Sequence, residues 1–327
     1  MPVSEEPPAL PRLRARVTKL LPSKLSKDLF HRDGFMPELS PGQRFRDSLL
    51  AEKPLQIAGT INALCAMQAE AAGFRAIYLS GAGVANASYG LPDLGVTSLN
   101  DVVTDASRIT AACSLPLLVD IDTGWGTDLT IHRAIRELER AGVAAIHMED
   151  QVAAKRCGHR PGKELVEVQE MQARIEAAVD APRNPSFVIM ARTDAVHVEG
   201  LGSAIARAKA YVEAGADMIF AEAVETLEDF RRFVDEVGVP ILANMTEFGK
   251  TPAFTAQELA SAGVQLALYP LTAFRAMNAA AKLTYETIRT QGTQRSVLDK
   301  LQTRDQLYKL LNYYSDEKRI DQQRPKS

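Results

Sequence analysis

Two aspartates stand two residues apart at the end of an apolar run, in 116-PLLVDID-122. Residues i and i+2 of a strand point to the same side, so the carboxylates of Asp120 and Asp122 are expected to face one way. Adjacent carboxylates repel one another unless a proton or a cation lies between them. Mg2+ suits such a pair, because it accepts one or two carboxylates and completes its shell with water and substrate oxygens. We predict a magnesium site here; the alternative is a pair of loop or helix-cap carboxylates.

A basic, glycine-rich segment, 155-KRCGHRPGK-163, carries one of the three cysteines. Its glycines allow it to move over a reacting centre. The other two cysteines, Cys65 and Cys113, lie in apolar helical stretches and are expected to be small buried residues. We predict that Cys157 is catalytic, as a thiolate or a proton donor, with a thiol pKa lowered by its basic neighbours Lys155, Arg156 and His159.

Arginine and histidine positions narrow the kind of ligand. Arg192 ends an apolar run, and a guanidinium binds carboxylates as a fork, so a polycarboxylate substrate is predicted. The five histidines show no HExxH or HxH pairing and the chain has no CxxC, so no transition-metal site is predicted. His147 stands inside an apolar run and is expected to be a buried supporting residue.

Eight short apolar runs follow one another after Pro41, and longer amphipathic stretches separate them. Continuous rather than alternating apolarity is typical of strands that are covered on both faces, as in parallel sheets. Two of the stretches between the runs, 203–215 and 227–238, have the pattern of helices. We predict strands over 55–62, 76–81, 116–122, 144–150, 187–194, 217–223, 240–246 and 266–271.

The junctions between predicted helices and strands repeat one sequence feature. Alanine followed by glycine precedes four of the strands, at Gly73, Gly142, Gly215 and Gly263. Glycine just past a helix adopts the left-handed conformation without a Cβ clash. A recurring junction among eight βα units predicts an α/β protein with a (β/α)8 TIM-type barrel. An open sheet of eight parallel strands is the alternative.

Polar residues close most of the apolar runs. In a barrel, the carboxyl ends of the strands converge on one face, where active sites are built. Charged residues at so many strand ends exceed what loop formation alone requires, so the sequence predicts an enzyme. The polar ends include Ser80, Asp120, Glu149, Arg192, Glu222 and Asn244.

Composition is that of a globular protein with a large core. Of the 327 residues, 46% are hydrophobic and 24% are charged, which excludes a disordered chain. The formal net charge of −3 gives no reason to expect nucleic acid or an anionic membrane as a partner. No apolar stretch is long enough to cross a membrane. Three scattered cysteines argue against a disulfide framework and favour a reducing compartment, which we take to be the cytoplasm.

The first forty residues differ from the rest, being rich in proline and basic residues without an apolar signal core. We predict that residues 1–40 form a poorly ordered or loosely docked extension, and that 41–327 form the catalytic barrel with a C-terminal helical segment. A mitochondrial transit peptide, which would place the protein in the matrix, is the alternative for this extension.

Six motifs carry a resemblance to a known family. Over about residues 41–320, in order and without a large insertion, the chain resembles the bacterial 2-methylisocitrate lyases of the isocitrate lyase/phosphoenolpyruvate mutase superfamily. KRCGH is the signature of the lyase branch of that superfamily. The motifs are YLSGAGVA (78–85), LVDIDTGWG (118–126), HMEDQVAAKRCGHRPGK (147–163), IMARTDA (189–195), ILANMTEFGKTP (241–252) and ALYPLTAFRAMN (267–278).

The resemblance implies a barrel whose eighth helix is exchanged between subunits, in a homotetramer. It implies Mg2+ and the cleavage of (2S,3R)-2-methylisocitrate to pyruvate and succinate, within propionate catabolism by the methylcitrate cycle. The compact chain and the Lys-Arg-Cys form favour this activity over that of isocitrate lyases, which are longer and carry Lys-Lys-Cys.

Matched position by position, the family pattern also assigns the site. Asp120 and Asp122 match the metal carboxylates, and Cys157 the catalytic thiol, with His159 beside it. Ala82 and Ala221 depart from the family, where glycine and proline are expected, which bears on fine specificity. The matched substrate contacts are Ser80, Gly81, Ala82, Cys157, Gly158, Arg192, Glu222, Asn244, Met245, Thr246, Arg275 and Arg304.

The implied reaction is a retro-aldol cleavage. We predict that Tyr78 takes the substrate hydroxyl proton and that Cys157 protonates the carbon released when the C2–C3 bond breaks. Two alternatives stay open: isocitrate lyase or another lyase or mutase of the superfamily, and a non-catalytic barrel that binds a partner. The second predicts a broken set of site residues, whereas every matched catalytic position is filled.

Overall fold

The computed structural model describes residues 39–323, apart from Cys157 and His159. Most of the predicted N-terminal extension therefore lies outside the described residues, and the division at residue 40 stays a prediction. None of the helices within residues 39–323 combines the length and the apolar composition that a membrane span requires.

Eight parallel strands form a closed barrel in chain order, with β1 beside β8. The predicted TIM-type barrel is confirmed, and the open sheet is wrong. Each strand ends one to three residues before its predicted end, because the predicted runs extend into the loops; Asp120, Glu149, Arg192 and Asn244 stay within the strands, whereas Ser80 and Glu222 lie just past them. The strands are β1 (Leu55–Gly59), β2 (Ala76–Leu79), β3 (Leu117–Asp120), β4 (Ala145–Glu149), β5 (Val188–Thr193), β6 (Met218–Ala221), β7 (Ile241–Asn244) and β8 (Leu266–Tyr269).

Helices cover the outside of the barrel and continue beyond it at the C-terminus. Short turns lie at Val84–Ser88 (π-helical), Ala195–His197 and Arg295–Lys300 (both 3-10). The helices are α1 (Pro41–Ala51), α2 (Ala63–Ala71), α3 (Gly81–Gly83), α4 (Leu99–Ala112), α5 (Asp128–Arg140), α6 (Val168–Asp180), α7 (Leu201–Glu213), α8 (Leu227–Val237), α9 (Ala256–Ser261), α10 (Thr272–Gln291), α11 (Arg304–Leu310) and α12 (Tyr313–Gln323).

Local sequence sets where these helices begin and end. α4 starts with a capping box, in which the Ser98 hydroxyl accepts from the Asp101 N–H while the Asp101 carboxylate accepts from the Ser98 N–H. The predicted alanine-glycine junctions are confirmed, since the four glycines have φ of +92°, +81°, +108° and +80° at Gly73, Gly142, Gly215 and Gly263.

Strand alternation places the polar site above an apolar floor. The barrel interior holds a buried cluster that includes Leu118, Met190, Phe220 and Leu242. Two residues further along each strand, the side chain points inward again and is polar and buried. These second positions are Asp120, Arg192, Glu222 and Asn244, which therefore share one layer at the carboxyl ends of the strands.

Candidate active site

A cavity of about 360 Å3 opens at the carboxyl ends of the strands, on the face where TIM-barrel enzymes carry their sites. It brings together ten of the predicted site residues. Residues that the sequence did not single out also line it, among them Asp93, Glu247 and Phe248. The ten are Tyr78, Ser80, Ala82, Asp120, Gly158, Arg192, Glu222, Asn244, Thr246 and Arg275.

The aspartate pair converges as predicted, but for a different reason. β3 ends at Asp120, and Asp122 lies past it with φ +48°, so a left-handed turn rather than strand alternation aims the second carboxylate. Asp120 accepts hydrogen bonds from the N–H of Gly81 (3.1 Å) and of Asp122 (3.0 Å). A Cβ at Gly81 would lie 3.0 Å from Asp122 Oδ1 and 3.2 Å from Asp120 Oδ2, so glycine keeps the space beside both carboxylates open.

Burial and charge act differently on the two acids. Burial raises the pKa of Asp122, the charge of Asp120 raises it further, and Lys155 opposes both. Burial also works against ionisation of Asp120, but its electrostatic interactions with His147, Lys155 and Arg192 outweigh burial and lower the Asp120 pKa. The pair therefore holds more negative charge than its surroundings neutralise easily, which is the condition that favours a cation.

Lys155 is bound to carboxylates rather than free to act on a thiol. Its ammonium lies 2.6 Å from Oδ1 of both Asp93 and Asp122, and the side chain is buried. Lys155 was predicted to lower the thiol pKa of Cys157, and its charge is largely compensated by these two ion pairs. Cys157 and His159 lie outside the described residues, so their catalytic roles stay predictions.

Asp93 is a residue that the sequence reasoning missed. It stands in an irregular loop, 90–98, between the π-helical turn and α4, with no periodic pattern around it. The available signal was its place in a loop that follows a strand end, since such loops carry function in barrels.

Arg192 lies in the cavity wall, held by three carboxylates. Its guanidinium is 3.2 Å from Glu149, 3.0 Å from Asp194 and 3.2 Å from Glu222, and it packs 5.1 Å from the ring centroid of Phe220. The guanidinium is thus shared with three protein acids while it lines the cavity, and its contact with a substrate carboxylate stays a prediction. Burial raises the pKa of Glu149 well above its ordinary value.

Gly158 lies directly against this cluster. A Cβ there would be 2.4 Å from Nη2 of Arg192 and 2.8 Å from the Glu222 side chain, so only glycine fits without a shift. The backbone of the cysteine-bearing segment thus passes within contact of Arg192 and Glu222.

Four other predicted residues are placed differently from the ten in the wall. Gly81 contributes its N–H to Asp120, and Asp122 reaches the site through its carboxylate. Met245 is buried in the strand–helix core and its N–H donates to the Leu268 carbonyl (2.8 Å). Arg304 is exposed at the start of α11 and does not line the cavity in this chain.

Tyr78 and His147 form a buried pair at the base of the cavity. The Tyr78 hydroxyl lies 3.0 Å from His147 Nε2 and 3.4 Å from Asp120 Oδ2. Burial raises the pKa of Tyr78 well above 10 and lowers the pKa of His147 to about 4. Both groups are therefore neutral near pH 7 and share a hydrogen bond, and His147 is buried beside the site, as predicted.

The closed parallel barrel and the acid, lysine and arginine groups at its carboxyl-end face define an enzyme of the α/β barrel class. A family model described as phosphoenolpyruvate phosphomutase matches residues 45–289. The chain belongs to this family, and the superfamily resemblance noted from its motifs is confirmed.

Within this family, the chain is similar over most of its length to proteins of one name. The chain is 62% identical over 283 residues to 2-methylisocitrate lyase of Shewanella oneidensis, covering 86% of this chain and 97% of that protein. It is 59% identical to the Escherichia coli protein of the same name, over 86% of this chain and 96% of that one.

Solved structures agree on the fold. 2,3-Dimethylmalate lyase superposes with a TM-score of 0.80 at 35% identity, over 88% of this chain and 96% of that one. A phosphonopyruvate hydrolase in complex with oxalate and Mg2+ superposes with a TM-score of 0.75 at 30% identity, over 85% and 97% of the two chains.

Proposed function

We propose that this enzyme is a carbon–carbon lyase of the oxo-acid-lyase type that cleaves (2S,3R)-2-methylisocitrate to pyruvate and succinate. The observation that carries the proposal is the identity of about three residues in five with proteins named 2-methylisocitrate lyase, over nearly their whole length. The cavity supports it, because the motif residues at the strand ends meet there around one space.

We propose a divalent metal, Mg2+, at Asp120 and Asp122. The donor set fits: two buried hard carboxylates flank the open space at Gly81, and a relative of the family carries Mg2+ with oxalate. Among the described residues, no group of three or more His, Cys, Asp or Glu side chains gathers to hold a metal. Water and substrate oxygens would therefore supply the remaining ligands, as Mg2+ prefers. An ion held by these two aspartates would supply Lewis-acid polarisation of substrate oxygens.

The side chains of the cavity supply the proton transfers. Tyr78 takes the proton of the C2 hydroxyl while its own proton passes to Nε2 of His147, 3.0 Å away. The C2–C3 bond breaks, C2 becomes the carbonyl of pyruvate, and the electron pair moves into the carboxylate of the succinate half. Arg192 stabilises the added negative charge, and the Cys157 thiol returns a proton to the carbon.

Isocitrate lyase or another lyase or mutase of the superfamily is the alternative activity. One methyl group in a pocket is worth about 1–3 kcal/mol, so some cross-activity is expected with either substrate. The test is a coupled pyruvate and glyoxylate assay, with 2-methylisocitrate and isocitrate side by side, each with Mg2+ and with EDTA. Faster cleavage of isocitrate would contradict the proposed substrate, and full activity in EDTA would contradict the metal.

The catalytic thiol has its own test. Cys157→Ser should lower kcat by about 100-fold or more, since a general acid contributes about 10²–10⁴-fold, while pyruvate and succinate still bind. Cys65→Ser is the matched control, because Cys65 is a buried residue of α2 that does not line the cavity. Near-normal turnover of Cys157→Ser would reject the role.

We propose that α10 is exchanged between subunits in a homotetramer. The helix is exposed along most of its length, and apolar side chains are among the exposed ones, such as Leu283 at 45%. An apolar groove of about 600 Å3 lies beside it, between β1 and α2. Light scattering on a Leu283→Asp variant should show a smaller species, whereas Leu129→Asp, at an 83% exposed position of α5, should not.

The extension and the location are also proposals. We propose that residues 1–40 are separate from the catalytic barrel and that the enzyme works in the cytoplasm. The relatives named above come from bacteria, which gives no support to a mitochondrial location. A chain lacking residues 1–38 should keep its cleavage rate, and a large loss of kcat would contradict the division.

A further inference from the structure

The segment that carries the catalytic cysteine is tied down at its two edges. It leaves the barrel after β4 and returns before α6, where Gln151 and Leu165 form an isolated bridge. The Gln151 side chain holds the backbone of Arg156 on both sides, accepting from its N–H (3.0 Å) and donating to its carbonyl (2.9 Å). These contacts hold the two ends of the segment and its backbone at Arg156, but none of them involves Gly158.

Lys163 makes the contact that reaches Gly158. Its ammonium donates to the Gly158 carbonyl at 2.7 Å and to Asp194 Oδ1 at 2.9 Å. The lysine side chain is 3% exposed and Asp194 is fully buried. A buried ammonium is costly unless its partners compensate it, so this lysine is held by a specific pair of acceptors.

Asp194 connects this contact to the cavity wall. The same carboxylate accepts from Nε and Nη2 of Arg192, at 3.0 and 3.1 Å. Lys163 and Arg192 therefore bind the same carboxylate, and Lys163 also donates a hydrogen bond to the carbonyl of Gly158. Gly158 in turn lies against Arg192, where a Cβ would not fit.

We propose that Lys163 is a positioning residue of the cleavage reaction, because it holds the Gly158 carbonyl in fixed register with Arg192, next in sequence to the residue that carries the proposed catalytic thiol. The inference rests on the proposed function, in which Cys157 protonates carbon. A proton donor must lie within hydrogen-bond reach of its target, and a displacement of about 1 Å can cost about 100-fold in rate.

Three variants of the Mg2+-loaded enzyme test the proposal. Lys163→Met removes the charge and the donor while keeping an unbranched side chain; Lys163→Arg keeps a charged donor. Lys209→Met is the matched control, since Lys209 makes an exposed ion pair with Glu236 on the outside of α7. We expect Lys163→Met to lower kcat about 100-fold with KM within about threefold, Lys163→Arg to recover part of kcat, and Lys209→Met to match the parent.

A purely structural lysine gives a different pattern: a lower unfolding temperature with kcat within threefold of the parent, and that result overturns the proposal. If Lys163→Met does not fold, Lys163→Gln is scored by the same limits. The alkylation rate of Cys157 by iodoacetamide, read by peptide mass, is a second measurement independent of turnover. If the parent cleaves neither substrate, the proposed function fails. The positioning role of Lys163 is then judged by the alkylation rate of Cys157 alone: an altered rate in Lys163→Met supports the role, and an unchanged rate overturns the role.

Discussion

Gly158→Ala is the substitution whose effect follows most directly from the geometry. The added Cβ would lie 2.4 Å from Nη2 of Arg192 and 2.8 Å from carbons of Glu222, whereas unstrained contacts between such atoms begin at about 3.5 Å. The overlap is thus about 1 Å. Arg192 cannot retreat cheaply, because Glu149, Asp194 and Glu222 hold its guanidinium.

The backbone at residue 158 therefore has to move by about this distance. A displacement of about 1 Å of a catalytic segment costs about 100-fold, which corresponds to about 3 kcal/mol of transition-state stabilisation. We expect kcat for 2-methylisocitrate to fall about 100-fold. The unfolding temperature should change little, since the overlap is relieved by a shift of the loop at Gly158 rather than of a strand or helix of the barrel.

Gly202→Ala is the matched control for this substitution. A Cβ at Gly202 meets nothing within 4 Å, and the residue lies inside α7, where alanine is favoured by up to about 1 kcal/mol. This control should keep full activity and gain slight stability. If Gly158→Ala retains kcat within threefold of the parent in the continuous pyruvate assay, the close approach of Gly158 to Arg192 is not part of the active state, and the reasoning is refuted.

The remaining predictions concern the charges and hydrogen bonds around the aspartate pair. Asp122→Asn should abolish stabilisation by Mg2+ in thermal unfolding. Because burial and Asp120 raise the pKa of Asp122, its ionised carboxylate lowers the stability of the fold once the pH rises through that pKa. The metal-free variant should therefore be more stable than the parent at pH 7.5, by about 1.4 kcal/mol per unit of raised pKa. A variant less stable than the parent would contradict this. Tyr78→Phe should lower kcat by about 10²–10⁴-fold with little change in KM, and unchanged kcat would exclude the hydroxyl as proton acceptor. Burial lowers the pKa of His147 to about 4 in the folded state, from an ordinary value of about 6.5. The free energy of unfolding should therefore fall by about 3 kcal/mol as the pH is lowered from 6.5 to 4. In urea unfolding of His147→Gln, this part of the pH dependence should be absent.

The barrel and the face that carries the site could be predicted from the sequence. Continuous apolar runs and alanine-glycine junctions are local signals, and eight of them in order leave few architectures. Convergence of Asp120, Arg192 and Glu222 then follows, because strand ends of a parallel barrel meet on one face. Each of these features is determined by a short stretch of chain, and therefore local sequence was enough to predict it.

What could not be predicted depends on distances between elements far apart in the chain. The occupied fork of Arg192 requires β4, β5 and β6 to be in register, with Glu149 opposite Arg192 across the ladder. The partner of Lys155 is an acid 62 residues earlier, in a loop without a pattern. The turn that aims Asp122 is a single left-handed residue, a conformation that aspartate adopts without a distinctive sequence signal.

The formal charges of the aspartates and of Lys155 indicate how the proposed metal ion and the substrate would bind. Asp93, Asp120 and Asp122 face a single ammonium, Lys155, which leaves two negative charges at the predicted metal site, matched by one divalent cation. With the ion bound, this group of three aspartates and one lysine carries no net charge. The positive charge that holds a substrate with three carboxylates comes from the rim, where Arg156 and Arg160 line the cavity together with Arg275, which is paired with Glu247. On this account the metal must bind before or with the substrate, because without the ion the same cavity repels a polycarboxylate. Equilibrium binding of succinate with and without Mg2+ measures that order directly, and equal affinity in both conditions would show that the aspartates are neutralised in some other way.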